Sequence, residues 1–264
     1  MSGRIRLGML TPSSNTVLEP VTSAMLSGLP DVSAHFGRFK VTEVAISEAS
    51  DQQFDEEEFL RAAELLTHAK VDVIAWNGTS ASWLGFERDE KLCDRIKTAT
   101  GVNACTSVLA FLEIFRRKAV SRIGLVTPYL DTVQARIIAN FKRAGITCLA
   151  ERHSGLQDNF SFAEVPESDI AEMARAVAHE GCQAVAIVCT NMRGARIAVD
   201  LEAELGVPVY DSIATTLWKS LLLVGVPPDR VRGWGGLFEE RAIASPRAAD
   251  AWRAEAGPAL PSGA

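Results

Sequence analysis

The sequence predicts an α/β protein made of two similar lobes, each with a parallel sheet covered by helices. The first observation is an internal repeat, in which RLGMLTP at residues 6–12 recurs as RIGLVTP at residues 122–128. Further along, residues 73–80 align with residues 184–191, and a Gly-Val pair follows each of these blocks. Paired blocks in the same order indicate duplication of a unit of roughly one hundred residues. The second observation is that short β-branched runs alternate with helical patterns, which is typical of parallel sheets with crossover helices.

Five apolar runs have the composition of buried parallel strands, which are hydrophobic along their length because helices cover both faces of the sheet. They are residues 5–10, 71–76, 122–126, 184–188 and 207–210. Weaker strand candidates are residues 34–41, 146–149 and 231–234. Helices are predicted between the strands over residues 56–68, 132–143 and 168–179. Ser168 is a candidate N-cap of the third helix, which should stop before Gly181.

The repeat also predicts the division into domains. The first lobe should contain residues 1–103 plus about 216–245, and the second lobe residues 104–215. The tail at residues 246–264 is rich in Ala, Pro and Gly and is expected to be peripheral. No low-complexity linker separates the halves, so the lobes should pack closely, with a ligand site in the cleft between them. The sequence leaves open whether the chain forms a homo-oligomer.

Composition excludes several classes of partner. The chain of 264 residues has a formal net charge of −6 and no dense run of Lys or Arg, which argues against nucleic acid and anionic membranes. No apolar run approaches the roughly 20 residues of a membrane span, and the N-terminus lacks a signal-peptide core, so a cytoplasmic protein is expected. The five cysteines contain no CxxC and the four histidines have no ligand spacing, so neither a disulfide framework nor a metal site is expected.

Polar segments follow the predicted strands, at the end of the sheet where ligands of parallel α/β folds bind. The segment TPSSNT supplies the hydroxyl of Ser14, the amide of Asn15 and the N-terminus of the next helix, which together suit a carboxylate. In the segment GTSAS, the hydroxyls of Thr79 and Ser80 follow Gly78 and can donate to an oxyanion. An ordinary capped turn is the alternative for each segment.

Cys189 is the strongest catalytic candidate. It occupies the position that Gly78 holds in the other half of the repeat, and it is followed by Thr190 and Asn191. Because a helix is predicted soon after it, we expect a lowered thiol pKa. No Cys-His-Asn arrangement is readable, which disfavours protease-like acyl transfer. The other cysteines are expected to be small buried hydrophobes: Cys93, Cys105, Cys148 and Cys182.

Other side chains near these segments have weaker signatures. Tyr129, one of two tyrosines, follows Thr-Pro at the end of a predicted strand, where its phenol can donate to a carboxylate. Asn159 lies in a polar loop and has no functional signature of its own. Trp76 and Trp83 flank the Gly78 loop and could form apolar walls, although core packing is the more typical role for Trp76.

Together these segments resemble the aspartate/glutamate racemase superfamily, and within it the branch of maleate cis-trans isomerases and arylmalonate decarboxylases. The resemblance runs from residue 4 to about residue 238 and is most specific at TPSSNT, the Tyr129 loop and CTN. It implies two Rossmann-like domains related by a pseudo-twofold axis, a site at their interface and no cofactor. It also implies that Asn15, Tyr129 and Asn159 bind a carboxylate, and that Cys189 matches the second of two facing cysteines.

The sequence departs from the two-cysteine members at Gly78, as arylmalonate decarboxylases do. Racemisation and alkene isomerisation lose a partner without the first thiol, whereas one thiol suffices when carbon dioxide leaves and a carbanion is protonated. The sequence therefore predicts decarboxylation of a substituted malonate, in which Thr79, Ser80 and Tyr129 stabilise an enediolate and Cys189 protonates it. On this hypothesis, replacing Gly78 by Cys should shift the chain towards proton-transfer chemistry.

Two alternative functions accompany this prediction, together with three further candidate binding residues. A maleate isomerase-like or racemase-type isomerase of a small carboxylic acid is the first alternative. A non-catalytic protein that binds small carboxylic or dicarboxylic acids is the second. The remaining candidates for binding the acid are Ser14, Thr190 and Asn191.

Overall fold

The computed structural model describes residues 3–46, 56–179 and 181–239, and its strands form two four-stranded parallel sheets. The first sheet has the order β2-β1-β3-β4 and contains β1 (Ile5–Pro12), β2 (Val32–Phe39), β3 (Val73–Trp76) and β4 (Ala104–Thr106). The second has the order β6-β5-β7-β8 and contains β5 (Arg122–Thr127), β6 (Thr147–His153), β7 (Ala184–Ile187) and β8 (Val209–Asp211). The same order in both sheets confirms the predicted α/β fold with two similar lobes.

Helices connect the strands, because parallel neighbours need a crossover longer than a hairpin turn. In the first half of the chain they are α1 (Leu18–Met25), α2 (Glu56–His68), α3 (Ala81–Leu84), α4 (Phe86–Thr100) and α5 (Ser107–Arg117). In the second half they are α6 (Asp131–Arg143), α7 (Glu167–Val177), α8 (Gly194–Leu205) and α9 (Ser212–Leu223). Short 3₁₀ helices cover Phe160–Glu164 and Pro228–Arg230.

The central strands are apolar because they are buried within their lobes. Leu7 of β1 is in register with Val73 of β3, and Leu125 of β5 is in register with Ala186 of β7. All of these side chains are fully buried, and burial of a leucine stabilises the fold by about 1.5–3 kcal/mol. Because the strands of each sheet are parallel, the loops after their carboxyl ends meet at one edge.

The structure corrects two local predictions and adds one strand. Residues 231–234 do not form a strand, because Val231 follows a 3₁₀ helix and Gly233 has a φ of +77°, which is incompatible with extended backbone. The three-residue strand β4 was not predicted, since it is too short to show a periodic pattern. Ser168 does not cap α7, because the helix begins at Glu167 with Pro166 at its N-cap.

The division of the chain into two domains stays a prediction, which the packing of β4 and α9 refines. β4 belongs to the first sheet, so we propose to place the boundary after Thr106 rather than after residue 103. α9 packs against β3, β4 and α1, which supports the proposal that the chain returns to the first lobe near residue 216. The predicted peripheral tail at residues 246–264 lies outside the described residues. No helix in the described part of the chain is long and apolar enough to cross a bilayer.

A buried carboxyl in the first lobe should make stability depend on pH. Asp89 on α4 is 2% exposed, and its Oδ2 has no hydrogen-bond partner among the described residues. Burial raises the pKa of Asp89 to about 7, although a hydrogen bond from Thr106 acts in the opposite direction. Because the folded pKa lies above the unfolded one, the neutral carboxyl stabilises the fold fully below about pH 4. That contribution is lost as the pH rises to about 7.

Asp89→Asn is therefore expected to flatten the pH dependence of stability. The amide stays neutral, so the variant should lose less unfolding free energy than the parent between pH 4 and 7, by at most about 4 kcal/mol. Urea unfolding measured across this range checks the prediction. Asp200→Asn, at an exposed position on α8, is the control and should follow the parent. Identical pH profiles for the parent and Asp89→Asn would contradict the prediction.

Candidate active site

The loop after β1 contacts the second lobe through Asn15. The Oδ1 atom of Asn15 accepts hydrogen bonds from the backbone N–H groups of Val17 and Leu18, at 3.0 and 2.9 Å, and so orders the turn before α1. Its Nδ2 donates to both the carbonyl and the hydroxyl oxygen of Thr190, each at 3.1 Å. Arg38 on β2 holds the same loop, because its Nη1 donates to the carbonyl of Asn15 at 2.9 Å. One buried side chain therefore joins the two strand-end loops that the sequence singled out.

Asn191 makes a second connection between the lobes. Its Oδ1 accepts from the backbone N–H groups of Thr16 and Val17, at 3.0 and 3.3 Å, and its Nδ2 donates to the carbonyl of Asn159 at 2.6 Å. The Asn159 amide in turn donates to Ser14 Oγ at 2.8 Å. The structure thus brings five predicted binding residues into one network, which we call the amide network: Ser14, Asn15, Asn159, Thr190 and Asn191. Its amide donors are engaged by protein acceptors.

Asn191→Ala is expected to destabilise the fold, because it removes the hydrogen-bond partner of the Thr16 backbone N–H and of the Asn159 carbonyl, while the N–H of Val17 keeps Asn15 Oδ1. An unpaired buried group costs about 1–3 kcal/mol, so we expect a total loss of about 3 kcal/mol. For a chain of this size, that loss lowers Tm by roughly 6 to 12 °C. Asn103→Ala, at an exposed position, is the control and should melt with the parent. An unchanged Tm for Asn191→Ala would show that the network does not join the lobes.

Tyr129 links the Gly78 loop to the thiol. Its hydroxyl lies 2.6 Å from Thr79 Oγ1 and is also hydrogen-bonded to Cys189. The phenol ring is fixed by two aromatic neighbours, Trp83 at 5.1 Å and Phe162 at 5.4 Å between ring centroids. The phenol therefore bridges a hydroxyl of the first lobe and the thiol of the second.

Cys189 is a buried thiol that keeps its proton at neutral pH. It is 3% exposed, and burial raises its pKa to about 12. Hydrogen bonds from Tyr129 and from the backbone N–H of Asn191 act in the opposite direction, and the charge of Asp211 adds to the rise. The expectation of a lowered pKa was wrong, because α8 begins only at Gly194 and its dipole does not offset the loss of water around the sulfur. A protonated thiol suits proton donation better than nucleophilic attack.

Gly78 lies beside the Cys189 loop. The carbonyl of the preceding residue, Asn77, accepts a hydrogen bond from Thr190 Oγ1 at 2.9 Å, while the following residue, Thr79, contacts Tyr129. Ser80 is buried, and its hydroxyl makes no hydrogen bond to the residues that the structure describes. That hydroxyl is consequently free to donate to a ligand.

Sequence reasoning missed Asp211, whose charge adds to the rise in the Cys189 pKa that burial causes. The side chain is fully buried at the end of β8, where its Oδ1 accepts from the backbone N–H of Ile213 at 2.8 Å. Burial raises the pKa of Asp211 to about 7. Its position at a strand end, directly before Ser212, was the available signal. Within the described ranges, no group of His, Cys, Asp and Glu is arranged to hold a metal ion.

A family model described as arylmalonate decarboxylase matches residues 7–238 of the chain. The maleate isomerase of Pseudomonas putida is 26% identical over 254 residues, covering 90% of this chain and 98% of that protein. The arylmalonate decarboxylase of Bordetella bronchiseptica is 24% identical over 237 residues, covering 89% of this chain and 96% of that protein. Among solved structures, a Nocardia farcinica maleate cis-trans isomerase with a covalently bound succinylcysteine intermediate is similar, with a TM-score of 0.82 at 22% identity. That match covers 89% of this chain and 98% of the other.

Proposed function

The chain belongs to the arylmalonate decarboxylase family, and on this basis we propose that it decarboxylates a 2-substituted malonate without a cofactor. Its relatives include maleate isomerases and an arylmalonate decarboxylase, so the chain is an isomerase or a decarboxylase. The observation that favours decarboxylation is the pair formed by Gly78 and Cys189. Cys189 supplies one buried, protonated thiol, and the adjacent loop of the first lobe has a glycine, Gly78, at the position that is equivalent in the repeat.

Three hydroxyls are the proposed donors to the carboxylate that stays on the product. The Ser80 hydroxyl is free among the described residues, and the hydroxyls of Thr79 and Tyr129 are hydrogen-bonded mainly to each other. One such donor is worth about 2.7–4 kcal/mol when charge develops on the bound oxygen. The amide network holds the surrounding loops, and direct binding of the acid by Asn15 or Asn159 would require their present hydrogen bonds to exchange.

The proposed reaction uses one proton from the protein. The bond between C2 and the departing carboxylate breaks, and carbon dioxide leaves without the electron pair. That pair delocalises into the remaining carboxylate as an enediolate, which the three hydroxyls stabilise. The proton of the Cys189 thiol then moves to C2, and the resulting thiolate regains a proton from water. The buried position of the sulfur supports this role, since it keeps the thiol protonated until the carbanion forms.

The test is an assay in deuterated water with phenylmalonate, maleate and an enantiopure 2-phenylpropionate. We expect carbon dioxide release from phenylmalonate, with incorporation of one solvent deuterium at C2 for each turnover. We expect no release of carbon dioxide from maleate and no racemisation of 2-phenylpropionate. Conversion of maleate to its trans isomer, without turnover of any malonate, would overturn the proposal.

Isomerisation of a maleate-type diacid is the second candidate, and the isomerase relatives favour it. It requires a nucleophilic sulfur to add to the alkene, and the proton on Cys189 opposes this step. Intact mass spectrometry after incubation with maleate separates the two candidates. A covalent adduct at Cys189 would favour the isomerase.

A further inference from the structure

The indole of Trp76 occupies the space that a side chain at residue 78 would need. A Cβ built on Gly78 would lie 2.0 Å from Cζ2 of Trp76, 2.4 Å from Cε2 and 2.5 Å from Cη2. Real Cβ atoms essentially never approach other atoms more closely than 3.0 Å. The backbone of Gly78 is not in the left-handed region, so its φ would not itself exclude a side chain. The tryptophan ring therefore leaves no room for a side chain at residue 78 in this arrangement.

Packing alone holds the Trp76 ring in this place. Its centroid lies 5.1 Å from that of Phe39 on β2 and 4.7 Å from that of Phe59 on α2, the latter with edge-to-face geometry. The side chain is 1% exposed, and its Nε1 has no hydrogen-bond partner among the described residues. Because no polar contact fixes the indole, a smaller apolar residue can replace it without leaving a buried acceptor unpaired.

The second lobe has the opposite arrangement at the equivalent positions. In the repeat, Trp76 aligns with Ile187 and Gly78 aligns with Cys189. A large residue precedes a glycine in one lobe, and a smaller residue precedes the thiol in the other. The two loops are adjacent, because Asn77 accepts a hydrogen bond from Thr190. The large Trp76 therefore accompanies a glycine at residue 78, and the smaller Ile187 accompanies the thiol at residue 189.

We propose that Trp76 determines the reaction specificity of the site, by filling the volume that a second thiol at residue 78 would require. The inference rests on the proposed function, because it explains why the site contains one thiol rather than two. It also changes the expectation for Gly78→Cys. In the parent background, the new cysteine side chain would clash with the Trp76 indole. Gly78→Cys should therefore allow proton transfer at the substrate face opposite Cys189 only when Trp76 is replaced by a smaller residue.

The steric part is tested without any substrate, so it stands or fails independently of the proposed reaction. We expect Gly78→Ala to lower Tm by roughly 6 to 12 °C in the parent and by less than about 3 °C in a Trp76→Leu background. Gly124→Ala is the matched control. A Cβ at Gly124 would lie 2.6 Å from the carbonyl oxygen of Val177, so its cost should be equal in both backgrounds.

The result is decisive even if Gly78→Ala does not fold in the parent. Folding of that variant in the Trp76→Leu background would then support the proposal. Failure to fold in both backgrounds, or an equal Tm loss in both, would overturn it.

The chemical part is tested by proton exchange. Enantiopure 2-phenylpropionate is incubated in deuterated water with Gly78→Cys, with Trp76→Leu, and with the variant that combines both. We expect at least a tenfold faster uptake of deuterium by the combined variant than by either single variant, and loss of this gain when Cys189→Ser is added. Equal uptake by Gly78→Cys alone and by the combined variant would overturn the role of Trp76. If phenylmalonate turnover by the parent is absent while the Tm coupling holds, the proposed function fails and the steric inference stands.

Discussion

Replacement of Cys189 by Ala is expected to reduce turnover by about 100- to 10,000-fold, which is the usual contribution of a positioned general acid. The variant has no group at this position to protonate the enediolate, while its oxyanion donors remain. The fold should be retained, because the substitution removes one buried sulfur whose polar contacts are weak, such as the 3.3 Å contact from the backbone N–H of Asn191. We therefore expect Tm to change by only a few degrees, corresponding to about 1 kcal/mol.

Two other cysteines provide controls for this experiment. Cys105 is equally buried, and its sulfur lies 3.6 Å from Ser220 Oγ, away from the amide network. Cys148 is on β6 and partly buried. Cys105→Ala and Cys148→Ala should keep nearly full turnover and show a modest packing loss. Full activity in a folded Cys189→Ala variant would remove the thiol from the mechanism, whichever reaction the protein catalyses.

Tyr129→Phe is expected to lower kcat by about 100- to 1,000-fold, the loss that follows removal of one oxyanion donor. The phenol hydroxyl contacts both Thr79 and Cys189, so the substitution also releases the Thr79 hydroxyl from its 2.6 Å partner. Because the ring and its packing against Trp83 and Phe162 are unchanged, KM should change much less than kcat.

The other tyrosine gives a matched control. Tyr210 on β8 is equally buried, and its ring packs against Phe115 at 6.1 Å. Tyr210→Phe should retain nearly the parental kcat. Steady-state kinetics of both variants with phenylmalonate, together with their Tm values, test the assignment. A parental kcat for Tyr129→Phe would exclude its hydroxyl from transition-state stabilisation.

The fold was predictable wherever strong local patterns recur in both halves. The repeat at residues 6–12 and 122–128 locates β1 and β5, and the blocks at 73–80 and 184–191 locate β3 and β7. Failures occurred where the local pattern was short or ambiguous. β4 has three residues, and in residues 231–234 the buried Val231 packs in the core without belonging to a strand.

The sequence by itself determined that polar segments follow the strands, and parallel topology then brings these segments together at one edge. This is why residues as distant as Asn15 and Thr190 could be assigned to one site before any contact was known. Tertiary structure alone decided the ionisation of Cys189 and the space available at residue 78. The thiol pKa depends on how completely the surrounding chain excludes water. This burial raises the pKa, whereas the helix predicted after Cys189 had suggested a lowered pKa. The space at residue 78 depends on the Trp76 indole, which packs against Phe39 and Phe59. Desolvation and steric exclusion arise between segments far apart in the chain, so no local sequence pattern encodes them.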